Sequence, residues 1–203
     1  MLGSMTVPQH RHRLFFALFP PPLVARRIAH WAEARFGPSG DYVRAARLHV
    51  TLDILEDFET FPKDIAERLV EAGHAVAADP FMIELDQVSA GGGRIALHPR
   101  LKNAGLQRLA HAIATARGDA KIPVRARYGF NPHMMLLYRE GTPFSQMVTP
   151  FAWPVQQFVL IHSLLGRTRH EQLASWELTG RHEDLRLVCE QYREAIADRR
   201  SLC

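Results

Sequence analysis

The sequence predicts an α+β protein, and three observations carry that reading. Segments with the two-residue alternation of half-buried strands occur near the start, in the middle and near the end. Between them lie three segments with apolar residues at helical spacing. Two of the strand-like segments follow each other directly, joined only by Ala90-Gly91-Gly92-Gly93. The order is therefore strand, helix, strand, helix, hairpin, helix, strand, strand rather than a strict strand–helix alternation.

Arg13 to Phe19 reads as an aromatic-rich strand that ends at Pro20-Pro21-Pro22. Prolines suit a first helical turn, and Val24, Ile28, Trp31 and Ala32 then fall on one face, until Gly37-Pro38-Ser39-Gly40 closes the helix. Tyr42 to Arg47 connects to a second strand, Arg47 to Leu55. Phe61 and Pro62 open a second helix, with Ile65, Leu69, Ala72 and Val76 as its stripe, and Asp79-Pro80 ends it. Phe81–Ser89 and Arg94–His98 form the hairpin. Its glycines lack the Lys-Ser/Thr ending and following helix of a phosphate-binding loop. Leu101 to Arg117 is a third helix, with Leu106, Leu109, Ala110 and Ile113 facing inward. Strands at His133 and at Phe158–Leu165 follow, and Trp176-Glu177-Leu178 closes a sheet. A last helix is expected over Glu183–Arg200. Residues 5–180 are expected to form one two-lobed unit and residues 181–203 a helical extension.

The chemistry concentrates in two of the strands. In Leu48-His49-Val50-Thr51-Leu52-Asp53-Ile54, alternation puts His49, Thr51 and Asp53 on one face. Asn131-Pro132-His133-Met134-Met135-Leu136-Leu137 repeats the idea 84 residues later, too far for a local tandem and about right for duplicated half-domains. Imidazole titrates near neutral pH, so two of them can serve as acid and base in one reaction.

With Arg13–Pro20, Leu48–Leu52, Phe130–Leu136 and Phe158–Ser163 in this order, the chain resembles the two-histidine phosphoesterases. It is most similar to the family of bacterial RNA 2′,3′-cyclic phosphodiesterases, also called 2′-5′ RNA ligases. The resemblance covers roughly residues 11–178. It implies two pseudo-symmetric lobes of antiparallel sheet flanked by helices, with both histidine strands facing a central cleft. It also implies metal-independent opening of terminal 2′,3′-cyclic phosphates to 2′-phosphates, weak 2′-5′ ligation in reverse, and no cofactor. By this resemblance His49 donates a proton to the leaving oxygen, His133 accepts one from water, and Thr51 holds the phosphate. The family has Thr or Ser two residues after each histidine; Met135 departs from that pattern and removes the second hydroxyl.

Arg44, Arg127 and Arg139 are candidate phosphate ligands, and Phe15, Tyr42 and Tyr138 candidate stacking residues. Asp53 is expected to pair with an arginine, and His162 is a lesser candidate for the cleft. His30, His74 and His111 read as surface or packing residues. Net charge is +4, which favours anionic partners such as RNA ends or cyclic nucleotides. The two cysteines, Cys189 and Cys203, suggest a reducing cytoplasm rather than a disulfide framework. The apolar run Leu14–Phe19 is too short for a signal peptide, no segment reads as membrane-spanning, and a monomer is expected. A binding protein with a degenerate cleft is the alternative that Met135 favours. A histidine-rich metal protein is the third reading, and no tight ligand cluster supports it.

Overall fold

The computed structural model describes residues 11–167, 169–179 and 190. The helix expected over 183–200 thus lies, but for one residue, outside the described residues. Nine strands form one antiparallel sheet: β1 (His12–Leu18), β2 (Asp41–Tyr42), β3 (Val50–Ile54), β4 (Phe81–Gly91), β5 (Arg94–His98), β6 (Met134–Tyr138), β7 (Phe144–Val155), β8 (Gln157–Leu164) and β9 (Arg169–Glu177). Among the described residues, α1 (Pro22–Phe36), α2 (Lys63–His74) and α3 (Ala104–Asp119) add the helices of the α+β fold, with a short 3-10 turn at Ala45–Arg47. The spatial order is β7-β4-β5-β6-β3-β1-β8-β9, with β2 adding to β6.

All three helices share one face of the sheet. Ile28 and Ala32 of α1, Leu69 of α2 and Leu109 and Ile113 of α3 join one apolar cluster with Leu14, Phe16, Leu18, Val50, Leu52 and Met134. Phe15, Ala17, Val159 and Ile161 form a separate, smaller cluster on the other face. The expected hairpin is present: Gly91 pairs with Arg94 across Gly92 and Gly93, at φ 55° and 71°. Two positive φ values in succession are what a two-residue hairpin loop of the favoured hand requires, and glycine adopts them without a Cβ clash.

Two strands were not legible in the sequence. β2 is only two residues long. β7 contains Pro150 and Pro154, which break a strand pattern, yet β7 lies at the edge of the sheet, where a missing N–H leaves no ladder bond unmade.

The sheet is pseudo-symmetric about the contact between β3 and β6, where Val50 pairs with Met134. Four strands lie on each side of that contact along the main path. The irregularities also match. Against β1, Thr51 and Asp53 pair with the consecutive residues Ala17 and Phe16, so Leu52 is skipped. Against β5, Met135 and Leu137 pair with the consecutive residues Ala96 and Ile95, so Leu136 is skipped. Each histidine strand therefore carries a bulge three residues after its histidine, and a bulge re-aims every side chain that follows it.

That bulge corrects the expected face of Asp53. Its partner is Phe16, on the helix-covered side, and its carboxylate accepts from Arg117 Nε of α3 at 2.6 Å. The expected pairing with an arginine holds; the shared face with His49 does not.

Candidate active site

Val50 and Met134 are fully buried beneath the sheet, so the residues beside them face the opposite side. Extending that register by one residue in each direction sets Thr51 opposite His133 and Met135 opposite His49. Diagonal neighbours of this kind are about 7–8 Å apart, the separation across which two side chains can share a small anion. The four residues thus make a quadrilateral on one face, with an imidazole at two opposite corners, the Thr51 hydroxyl at the third and the Met135 thioether at the fourth.

The two imidazoles are held alike. His49 Nδ1 lies 2.7 Å from the Arg47 carbonyl, and His133 Nδ1 lies 2.8 Å from the Asn131 carbonyl. A carbonyl can only accept, so each Nδ1 carries the hydrogen and each neutral ring keeps its Nε2 lone pair for chemistry. The flanking strands supply matching neighbours. The Phe19 ring lies 5.5 Å from His49, and the His98 ring, from the corresponding place on β5, lies 5.9 Å from His133.

The environments are not equivalent. The Phe15 ring is 5.0 Å from His49, and the His170 ring meets it edge-on at 5.5 Å. This enclosure lowers the His49 pKa to about 4, chiefly by desolvation of the imidazolium. The nearby Arg47 and His133 act in the same direction, and the bond to the Arg47 carbonyl opposes them. Burial, with help from His49 and Arg47, likewise lowers His170 to about 4. Arg47 Nη2 lies 3.2 Å from His170 Nε2, so Arg47 supports His49 through its carbonyl and His170 through its guanidinium. On the other side, Ser89 Oγ is 2.8 Å from His98 Nε2, and burial holds His98 below its ordinary pKa.

Arg47, His98 and His170 were not singled out by sequence reasoning as site residues. Register arithmetic on β5 would have found His98; His170 comes from an edge strand with no local signal.

The other sequence candidates scatter. Arg44 is exposed just ahead of the 3-10 turn that leads into His49. Arg139 lies six residues beyond His133, roughly 20 Å along an extended strand. Its Nη1 donates to the Phe36 carbonyl at 2.6 Å and to the Ser39 carbonyl at 3.3 Å, and its guanidinium lies over the Phe36 ring. Arg139 therefore fastens the C-terminal end of α1. Tyr42 is likewise engaged, its hydroxyl donating to the Gly37 carbonyl at 2.5 Å. Tyr138 is exposed at the far end of β6, and Arg127 is exposed at φ 59° in the loop before Asn131. Phe15 is buried against His49 as a wall of the site. His162 pairs with Leu14 on the helix-covered face and stacks on His12, so it does not join the site.

Residues 19–167 match the family model described as the 2′-5′ RNA ligase superfamily. The chain belongs to that superfamily. Both histidine strands fall within the matched span, while β1 and His170, which flank His49, lie outside it. The chain is similar, at 32% identity over 183 residues, to the RNA 2′,3′-cyclic phosphodiesterase of Escherichia coli strain K12, covering 86% of this chain and 99% of that protein. Its fold matches that of E. coli LigT solved with 3′-AMP, with a TM-score of 0.69 and 26% identity over 84% of this chain and 99% of that one. It also matches the fold of TT0787 of Thermus thermophilus, with a TM-score of 0.68 and 24% identity over 84% of this chain and 100% of that one. Membership of the 2′-5′ RNA ligase superfamily agrees with the resemblance carried by the two histidine strands. Among the described residues no helix is long and apolar enough to cross a membrane.

Proposed function

We propose that the protein is a metal-independent phosphodiesterase that opens terminal 2′,3′-cyclic phosphates of RNA or nucleotides to 2′-phosphates, acting in the cytoplasm. The observation that carries the reading is the pair of imidazoles, each with Nδ1 tied to a carbonyl two residues upstream and each on the same face as the Thr51 hydroxyl. The similar E. coli enzyme supports the substrate class. In the forward direction His133 Nε2 takes a proton from the attacking water as its oxygen bonds to phosphorus. The P–O3′ bond breaks, and His49 Nε2–H protonates the departing O3′, leaving the phosphate on O2′. Thr51 donates to a non-bridging oxygen and keeps the anion between the rings. With a 5′-hydroxyl in place of water, the same steps join the cyclic end to it: His133 takes the hydroxyl proton, the 5′-oxygen bonds to phosphorus, P–O3′ breaks, and a 2′-5′ bond results; abundant water favours hydrolysis.

The order of the two roles is tested with an aryl phosphodiester whose leaving group needs no protonation. The His49→Ala variant should recover most of its lost rate on that substrate and His133→Ala should not. The opposite pattern would exchange the roles.

A pH prediction follows from the enclosure of His49. In a donor–acceptor pair the acid limb lies at the lower of the two apparent pKa values, even when the proton donor is the group that holds it. kcat/KM reports the free protein, so that limb should lie near pH 4 rather than near the ordinary imidazole value of about 6.5. In kcat, which reports the complex, the bound phosphate favours the imidazolium and should move that limb upward. Both limbs belong to the coupled pair. A kcat/KM acid limb at pH 6–7 would mean that burial does not govern His49 in solution.

Met135 is half-buried, faces the site beside the small Ala96, and cannot donate a hydrogen bond. A hydrogen bond to a charged group is worth about 1.5–3 kcal/mol. Met135→Thr should therefore raise kcat/KM on a 2′,3′-cyclic mononucleotide by about tenfold or more, while Thr51→Val lowers it by a similar factor. If Met135→Thr is inert, the thioether is an apolar wall and the alternative reading, a binding protein with a weakly active site, loses its main support.

A further inference from the structure

A pocket of about 390 Å³ with a mixed polar and apolar lining lies next to His133 but includes neither histidine of the pair. Two of its wall residues, Asn131 and Pro132, immediately precede His133, and a third is His98, whose ring adjoins the His133 ring. It extends away from His49, across β5 and β4 towards the β7 edge, through Ser89, Gln87 and Ser145. Its far wall is the segment that enters α3, with Arg100, Lys102 and Gln107.

The chemistry of this lining is selective. Lys102 is exposed and forms no ion pair among the described residues. Asp86 is engaged by Arg100, accepting from its backbone N–H at 2.7 Å and from its Nε at 3.4 Å. Amide and hydroxyl donors line the floor, with Gln87 Nε2 donating to Ser145 Oγ at 2.8 Å. Phe130, Pro99 and Pro132 supply apolar surface beside them. Cationic side chains, neutral donors and apolar patches together suit a sugar–phosphate with its base, and the volume lies within the usual range of about 300–1,000 Å³ for small-molecule sites.

We infer that this pocket holds the nucleotide on the 5′ side of the cyclic phosphate, making the protein selective for RNA ends over free cyclic mononucleotides. The inference rests on the proposed cyclic phosphodiesterase reading for its substrate. A 2′,3′-cyclic phosphate is necessarily a 3′ end, so any further nucleotide lies on its 5′ side. A chain end bound between His49 and His133 has a neighbouring phosphodiester to place, and the pocket beside His133 is where the cation and donors for it stand.

Turnover of a 2′,3′-cyclic mononucleotide is compared with that of a dinucleotide ending in the same cyclic nucleotide, for wild type, Lys102→Ala and Ser145→Ala/Gln107→Ala. Binding of a 3′-phosphate-terminated dinucleotide and of the matching nucleoside 3′-phosphate is followed by calorimetry at several salt concentrations. The wild type should prefer the dinucleotide by tenfold or more in kcat/KM. The variants should lose most of that preference with mononucleotide turnover unchanged. Lys102→Ala should reduce the salt slope of dinucleotide binding by about 0.7, the loss of one single-strand phosphate contact. Equal loss on both substrates would overturn the inference by placing the terminal nucleoside in the pocket, and no preference in the wild type would overturn it outright. Absence of turnover on either substrate would defeat the functional reading instead, and the binding comparison would then decide the pocket by itself.

Discussion

His49→Ala and His133→Ala should each lower hydrolysis of a 2′,3′-cyclic nucleotide by at least about a hundredfold, the usual lower bound for losing a proton-transfer group. Neither change should unfold the protein. Both side chains are only half-buried and lie on the face away from the main apolar cluster, and each makes one hydrogen bond, to a carbonyl of its own strand approach. The His49 ring also contacts Phe15, Phe19 and His170, so its loss opens space there and should cost some stability as well as rate. Because the two imidazoles act on one phosphate, the double variant should be little worse than either single one. Initial rates on one cyclic nucleotide, with folding followed by circular dichroism, measure all three. Near-normal turnover in either single variant would remove that histidine from the mechanism.

The largest stability effect is expected at Arg117. Its Nε donates to Asp53 at 2.6 Å and its Nη1 to the Ile122 carbonyl at 2.6 Å, joining α3, β3 and the segment that leads on towards His133. The Asp53 side chain is only 3% exposed. Burial pushes its carboxyl pKa up, and Arg117 opposes that shift by stabilising the charged form. Arg117→Leu leaves the carboxylate buried without its cation, a loss of about 3–5 kcal/mol. For a chain of this size each kcal/mol moves Tm by roughly 2–4 °C, so a fall on the order of 10 °C is expected in thermal denaturation. Replacing both partners, as in Asp53→Leu with Arg117→Met, should recover most of the loss, because two apolar side chains carry no desolvation cost. A double variant as unstable as Arg117→Leu would show that packing around the pair, rather than its charge, is what matters.

The bulges explain why Asp53 and the two histidines could not be placed by one rule. Alternation from Leu48 to Thr51 is sound, and it puts His49 and Thr51 together on the correct face. One skipped residue then reverses the phase, so Asp53 points to the helices and Ile54 to the other side. The skip is a property of pairing with β1 and leaves no mark in the β3 sequence itself. Arg139 and His162 are similar cases. Each has the right residue type for the site, and each is taken elsewhere by a partner distant in sequence: Phe36 and Ser39 for the arginine, His12 for the histidine.

Local order along the chain carries the α+β class, the apolar stripes of α1, α2 and α3, the glycine hairpin, and two histidine strands set 84 residues apart with Thr51 on one and Met135 on the other. Helical and strand periodicities are set by which face must be buried, so they are written into short stretches of chain. The meeting of β3 and β6 at Val50 and Met134, which brings the two histidines onto one surface, comes from long-range pairing. Long-range pairing likewise sets His170, from the β9 edge of the sheet, against His49, and gathers the α3 entrance, His98, Asn131 and Pro132 around one pocket. These neighbours arise from strand order and register, where hydrogen bonds between distant segments choose the partners and no local pattern records the choice.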